Sequence, residues 1–200
     1  MEMTLKTSIS KRRTYYSISG ESPVGNNEIE EVISLALTHV PSAFNSQSTR
    51  LVLLLGEHHK ALWQIVIDAL KQIVPAGAFP STENKISNCF AAGYGSVLFF
   101  EDDTVVKELQ KNFPAYAAAF PTYSEHTSAM HQFAIWNLLG EAGFGASLQH
   151  YNPLIDEKVK DQWSLPASWR LIAQMPFGTP TAEPAEKQFA PLENRMRVFK

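Results

Sequence analysis

Apolar residues recur with a helical period along several stretches of this chain. Between Ile29 and Val40 they follow the i, i+3, i+4, i+7 spacing of one helix face, which predicts a helix capped by Asn26 or Asn27 and ended by Pro41. The same period predicts further helices over residues 4–12, 57–74 and 156–162, and one capped by Asp102 or Asp103 that runs to about Asn112.

The strongest helical pattern covers Ser128–Gly143. Apolar residues occupy almost every side of this stretch, unlike the single stripe of a surface helix. We therefore expect the helix to lie in the centre of the fold or between two subunits, and Gly143 and Gly145 to end it.

Short apolar runs predict the strands. Arg50–Gly56 and Ser96–Glu101 are uninterrupted enough to be buried on both faces, and alternation predicts a strand over Trp169–Pro176. Weaker strand patterns cover residues 146–149 and Arg195–Phe199. Residues 19–27 are predicted to form a loop, and residues 75–95 an irregular surface segment that contains a short helix. Strands that alternate with helices indicate an α/β or α+β fold, and we expect residues 1–200 to form one domain.

Composition narrows the functional classes. The 200 residues are 44% hydrophobic and 18% charged, which is typical of a globular domain, and the net charge of −3 disfavours non-specific nucleic-acid binding. A single cysteine, Cys89, gives no sign of an oxidising compartment, no secretory signal is recognisable, and the apolar runs are too short to span a membrane. We expect a cytoplasmic protein that binds neither nucleic acid nor membrane.

The usual motifs of acid–base, metal and phosphate-loop chemistry do not occur. The chain has no G-x-x-x-x-G-K-[ST], no G-x-G-x-x-G and no G-x-S-x-G. His58 and His59 diverge by about 100° on a helix, so we expect a solvated helix start and no metal site. Cys89 lies in no nucleophile motif, and we expect it to be buried and to pack as a small hydrophobic residue.

The remaining candidate residues are arginines and neutral polar residues, which suit ligand binding rather than acid–base catalysis. Arg12 and Arg13 near one end, and Arg195 and Arg197 near the other, could converge on a phosphate. The stretch PSAFNSQSTR between a helix and a strand contributes amides that can donate and accept, as the edge of a planar heterocycle requires. The alternative is solvated surface charge at both ends of the chain.

The motifs KRRTYYSI, PSAFNSQSTR, GSVLFFED, GFGASLQHYNPLID and ENRMRV, in this order, resemble the nitroreductase family. The likeness is strongest to the branch of small flavoproteins that includes the copper-induced and fatty-acid-repression-mutant types. The resemblance implies an α+β fold, with a mixed sheet wrapped by helices, a homodimer and two FMN molecules in its interface. It also implies a ping-pong reaction in which NAD(P)H reduces FMN and the reduced flavin reduces a nitroaromatic or quinone.

The resemblance also implies which residues bind FMN. Arg12, Arg13 and Thr14 match the family element at the ribityl phosphate and pyrimidine, and Tyr16 stands where many members have a flavin-contacting lysine. Further matches are the partner-supplied element Pro41, Ser42 and Ala43, the polar Asn45 and Gln47, the flavin-facing segment Gln149, His150 and Tyr151, and the phosphate-binding pair Arg195 and Arg197.

The sequence allows two interpretations at each of two points. The aromatic residues Phe113, Tyr116, Phe120 and Tyr123 could wall the cavity over the flavin or could simply pack in the core. Relatives often have a second serine at Ala43 and a lysine at Tyr16. Their absence here suggests an alternative function, a flavin-binding regulatory or storage protein with little turnover.

Overall fold

The computed structural model describes residues 4–200 and contains a central sheet between two helical layers. The helices are α1 (Leu5–Lys11), α2 (Asn26–His39), α3 (Glu57–Lys71), α4 (Phe79–Ile86), α5 (Asp103–Asn112), α6 (Phe120–Glu141) and α7 (Asp156–Gln162). The strands are β1 (Ile18–Ser19), β2 (Thr49–Leu55), β3 (Gly95–Asp102), β4 (Gly145–Ala146) and β5 (Trp169–Pro180).

The sheet has the order β1-β5-β3-β2, with β4 paired to β5. All strand pairs are antiparallel, and the parallel element is a single bridge between Thr14 and Ala146. The predicted α+β architecture is therefore confirmed, with helices on both faces of the sheet.

Strand β3 separates two hydrophobic cores. Val97 and Phe99 face the core formed with α2 and α6, whereas Leu98 and Phe100 face the core formed with α3 and α7. Every residue of β3 is buried, as its apolar run predicted. Strand β2 lies at the edge of the sheet and is mostly half-buried, so the prediction of burial on both faces was wrong for it.

Several predicted boundaries differ from the observed ones. Helix α6 begins at Phe120, eight residues earlier than its apolar pattern, because its first turns carry buried polar residues such as Ser124 and Thr127. Helix α2 starts at Asn26 with Gly25 as the N-cap, so neither predicted asparagine caps it. Strand β5 extends to Pro180 because β1 and β4 pair with its far end.

Helix α6 occupies the centre of its layer. It packs against α1, α2 and α5 on its sides and against strands of the sheet. Its central position is as predicted, although Met130 and Phe133 remain exposed in the single chain. Among residues 4–200, no helix is long and apolar enough to cross a membrane.

Candidate functional site

The segment between α1 and β1 is fixed against the edge of the sheet. Thr14 bridges to Ala146, and the backbone N–H of Tyr15 donates to the Ala146 carbonyl at 3.0 Å. A Cβ on Gly145 would stand 2.8 Å from the Tyr15 side chain, so only glycine permits this close approach. Gly145 thus serves the strand contact rather than the predicted helix end, and the neighbouring arginines are held in place.

Arg12 and Arg13 line a cavity of about 270 Å³ between α1 and α6. The Arg12 guanidinium lies over the Trp136 ring, 4.4 Å from its centroid, and burial together with Arg13 lowers the pKa of Arg12. Trp136 Nε1 is buried and has no hydrogen-bond partner among the described residues. Two guanidinium groups and an unpartnered indole N–H fit an anionic group that accepts hydrogen bonds.

A larger cavity of about 570 Å³ adjoins the same segment. Its walls are residues 12–17 and residues 182–188 of the C-terminal tail, and Arg13 donates a hydrogen bond to the Ala185 carbonyl. The structure therefore brings Arg12, Arg13, Thr14 and Tyr16 to one place, in a volume typical of small-ligand sites.

Tyr16 and Tyr151 meet around one phenylalanine. The Phe90 ring centroid lies 6.2 Å from that of Tyr16 and 6.4 Å from that of Tyr151, and Lys85 Nζ is 5.9 Å from both the Tyr16 and Phe90 centroids. Burial, with smaller contributions from Tyr16 and Cys89, raises the pKa of Tyr151 to about 12, so its phenol stays protonated near neutral pH.

The backbone of Gln149–Tyr151 is pinned to β5. Gln149 forms an antiparallel bridge with Gln174, and Gln174 Oε1 accepts from the Tyr151 N–H at 2.8 Å. The Gln174 side chain is fully buried, yet its Nε2 has no partner among the described residues. Of the three predicted residues, Tyr151 thus lies near Tyr16, whereas Gln149 and His150 line neither of the cavities beside Arg12, and His150 is exposed.

Pro41–Gln47 forms a separate part of the surface. Phe44, Asn45 and Gln47 all have positive φ angles, of 58°, 51° and 48°. For residues other than glycine, such conformations cost about 1–3 kcal/mol each and cluster at functional sites. Ser42 Oγ accepts from the Gln47 N–H at 3.0 Å, and Arg50 Nη1 donates to the Gln47 carbonyl at 2.7 Å, so the backbone of Gln47 is restrained from both sides.

Ser42, Asn45 and Gln47 line a cavity of about 310 Å³ together with His131 of α6. The Asn45 and Gln47 side chains are exposed and available to a ligand. This cavity has no lining residue in common with the two cavities beside Arg12. The predicted site is therefore divided into two separate parts within one chain.

The predicted aromatic residues cluster on Phe44. Its ring centroid lies 5.0 Å from Phe113, 5.8 Å from Tyr116 and 5.2 Å from Phe120. Phe120 is buried and packs in the ordinary way, and it also meets Tyr123 at 6.0 Å. Phe44, Phe113 and Tyr116 keep exposed rings next to Asn45, where they can form one wall of a cavity.

The C-terminal arginines do not join the other basic residues. The strand predicted over Arg195–Phe199 is absent: an exposed irregular segment follows a 3₁₀ turn at Leu192–Asn194. Within residues 4–200 no strand pairs with this segment, and the N–H groups of Arg195 and Met196 donate instead to the Leu192 carbonyl of the turn. Arg197 donates to the Glu193 carbonyl, and neither arginine lines the cavities described above.

Sequence reasoning assigned two other residues wrongly. His59 is buried, with Nδ1 2.9 Å from Ser96 Oγ, although the sequence suggested a solvated pair with His58. His58 is exposed as expected, because adjacent helical residues point in different directions. Cys89 is half-buried rather than fully buried. Within residues 4–200, no three His, Cys, Asp or Glu side chains are placed to hold a metal.

Sequence reasoning also missed four polar residues near the Pro41–Gln47 segment. Glu101, Ser48, Thr49 and His131 are all buried and hydrogen-bonded to one another. One signal was present: Glu101 ends the apolar run GSVLFF, where a carboxylate needs buried partners. Nothing in the sequence indicated that Ser48, Thr49 and His131 would be those partners.

Known proteins resemble this chain along almost its whole length. HBN1 of Saccharomyces cerevisiae is 40% identical over 197 residues, which cover 98% of this chain and 96% of HBN1. The nitroreductase FRM2 of the same yeast is 39% identical over 195 residues, covering 96% and 94%. Nitroreductase CinD from Lactococcus lactis, solved in complex with nicotinic acid, superposes with a TM-score of 0.91 at 41% identity and covers 98% of this chain and 100% of that chain.

The family itself is recognisable in the sequence. The Nitroreductase family profile matches residues 9–179, a span that includes every predicted site residue except Arg195 and Arg197. Together with two relatives at about 40% identity and the shared architecture of CinD, this match shows that the chain belongs to the nitroreductase family.

Proposed function

We propose that this protein is an FMN-dependent NAD(P)H oxidoreductase that reduces nitroaromatics or quinones. Membership of the nitroreductase family supports the general class, an oxidoreductase. The observation that carries the finer proposal is the grouping of Arg12 and Arg13 around a cavity with the unpartnered Trp136 N–H, a donor set that suits a phosphate-bearing cofactor.

Structures of CinD support the substrate class. CinD has been solved with 4-nitrophenol, with chloramphenicol and with nicotinic acid, and this chain is 40–41% identical to it. The first two ligands carry nitroaryl groups, and the third is a pyridine carboxylate. We transfer to this chain a flat site for aromatic ligands, next to the exposed rings of Phe44, Phe113 and Tyr116.

Each part of the site has a proposed role. Arg12, Arg13 and Thr14 hold the phosphate and pyrimidine side of FMN, with the backbone of Gln149, His150 and Tyr151 beside the ring. Asn45 and Gln47 pair with the polar edge of the heterocycle. When bound, FMN supplies the redox chemistry, accepting hydride from NAD(P)H and passing two electrons to the acceptor.

The same proposal includes a homodimer. Pro41–Gln47 and the Arg12 cavities form separate parts of one chain's surface, so a second copy would supply Pro41, Ser42 and Ala43 to complete each site. Arg195 and Arg197 lie on an exposed tail, which subunit packing would bring to the phosphate. Residues 1–200 would then act as one FMN-binding domain of a cytoplasmic enzyme.

Anaerobic spectroscopy tests this function directly. The purified protein should bind FMN, NADH or NADPH should bleach the flavin band, and a nitroaromatic or quinone should restore it. A bound flavin that neither nicotinamide bleaches would contradict the enzymatic proposal. A chain that takes up no FMN would contradict the flavin assignment altogether.

The second candidate is a flavin-binding regulatory or storage protein with little turnover. Tyr16 favours it, because this exposed tyrosine stands where relatives often place a flavin-contacting lysine. Stable FMN binding without nicotinamide bleaching would support this candidate over the enzyme.

A further inference from the structure

Two adjacent hydroxyl groups next to Gln47 bind one buried carboxyl group. Ser48 Oγ donates to Glu101 Oε2 at 2.5 Å, and Thr49 Oγ1 donates to Glu101 Oε1 at 2.6 Å. Glu101 has 0% exposure and forms no ion pair within residues 4–200. A buried carboxyl group without a cation is costly, so this one requires both hydroxyl partners.

His131 extends the hydrogen-bond network to α6. Its Nδ1 lies 2.9 Å from the Thr127 carbonyl and 3.3 Å from Thr49 Oγ1. Because a carbonyl only accepts, Nδ1 carries the proton and shares it between these two oxygens. The donor order from His131 through Thr49 to Glu101 therefore ends on an accepting oxygen, Oε1, of the Glu101 carboxyl group.

The network restrains the residues that follow the left-handed segment. Ser48 and Thr49 donate hydrogen bonds to Glu101. The adjacent Asp102 forms an ion pair with Arg50, with 3.1 Å between Oδ2 and Nη2. Arg50 in turn donates to the Gln47 carbonyl. The two acidic residues that end β3 thus hold the chain immediately after Asn45 and Gln47, whose positive φ angles require outside restraints.

We propose that Glu101 is a positioning residue for the cofactor-binding segment. By anchoring Ser48 and Thr49, it holds the backbone of residues 42–47 in the one conformation that presents the Asn45 and Gln47 amides to the ligand. The identity of that ligand, FMN, rests on the proposed function. The effect of Glu101 on the conformation of the segment does not depend on the proposed function, because it follows from hydrogen bonds within the chain.

Glu101→Gln and Thr49→Val test the network with little change of shape. The glutamine replaces one acceptor oxygen with a donor group, and the valine removes the hydroxyl that links His131 to Glu101. For each variant we expect FMN to bind about tenfold more weakly in a titration of the 200-residue protein, the scale of one lost buried hydrogen bond. Amide exchange in a peptide covering residues 42–50, followed by mass spectrometry, should accelerate by about the same factor.

Two controls separate positioning from general stability. Thr49→Ser keeps the hydroxyl and should keep near wild-type FMN affinity. Ser96→Ala removes another buried hydroxyl of β3, the one that contacts His59 and Trp63, and should lower stability without weakening FMN binding.

The outcomes are distinct. The positioning role is wrong if Glu101→Gln and Thr49→Val leave FMN affinity within about twofold and accelerate exchange at 42–50 no more than Ser96→Ala does. If the wild-type chain binds no FMN, the proposed function fails instead, and the exchange comparison alone still decides whether Glu101 orders the segment.

Discussion

His59 is a buried histidine with both ring nitrogens in polar contacts. Nδ1 lies 2.9 Å from Ser96 Oγ and Nε2 lies 3.3 Å from the Ala91 carbonyl. Burial lowers the pKa of His59 to about 4, against an ordinary value of 6.5, so the folded protein favours the neutral ring. As pH falls below about 6.5 the unfolded chain takes up the proton first, and the folded state loses stability until about pH 4.

We expect His59 to make the protein acid-sensitive. A shift of this size corresponds to about 3 kcal/mol of unfolding free energy, lost between about pH 6.5 and pH 4. Urea unfolding of His59→Gln should show a flatter pH dependence in this window. His58→Gln is the matched control at the exposed neighbour and should retain the wild-type slope. Equal slopes for the two variants would show that other groups, such as His131, whose pKa burial also lowers, control the acid response.

Substitution of Arg12 tests its proposed contact with the phosphate of FMN. Its guanidinium is half-buried and stacked on Trp136, so Arg12→Ala should weaken FMN binding by about 1.5–3 kcal/mol. Lys71→Ala removes one positive charge from the exposed end of α3 and should leave FMN affinity unchanged. Fluorescence titration measures both variants, and an equal small loss in each would point to general electrostatics instead.

At the level of elements, the left-handed conformation of Gln47 predicts a trade between stability and the proposed binding of FMN. The Gln47 side chain makes no hydrogen bond in the described structure, while its backbone adopts a left-handed conformation that glycine tolerates better. We expect Gln47→Gly to leave stability unchanged or raise it by up to about 1 kcal/mol, while FMN binding weakens.

Gln47→Ala is the control for this trade. Alanine removes the same amide group but keeps the strained backbone, so it should weaken FMN binding without the gain in stability. Thermal unfolding and FMN titration of the wild type, Gln47→Gly and Gln47→Ala separate the effect on stability from the effect on binding. A glycine variant that is less stable than the alanine variant would mean that the segment is not strained.

The elements also show where sequence patterns succeed. The bounds of α7 match the prediction, and β3 is buried along its whole length, because helix and strand periods follow from local geometry. The start of α6 was missed since buried polar residues break the apolar pattern. The strand at Arg195–Phe199 was wrong because alternation alone cannot supply a pairing partner.

For the whole molecule, the exposed apolar residues of α6 test the proposed dimer. Met130 and Phe133 remain about two-fifths exposed in the single chain, at 41% and 43%. Phe133→Glu would bury an unpaired charge in an interface and should weaken dimerisation by at least ~100-fold. Ile73→Glu, on an exposed residue after α3, is the control. Light scattering at micromolar concentration should find a dimeric wild type and control, and a monomeric Phe133→Glu; a monomeric wild type would contradict the dimer.

The sequence by itself determined the family, the α+β class and most of the helices and strands, because these depend on local periodicity and on motifs read in order. It also gave the polar segments that form the candidate site. Only the tertiary structure decided which of these segments lie together and which lie apart. Arg12 stacks on Trp136, and Tyr16 and Tyr151 both pack near Phe90, whereas residues of Pro41–Gln47 line a separate cavity. The physical reason is that contacts between distant residues, such as those of Glu101 with Ser48 and Thr49, arise from strand register and helix packing, which no local pattern encodes.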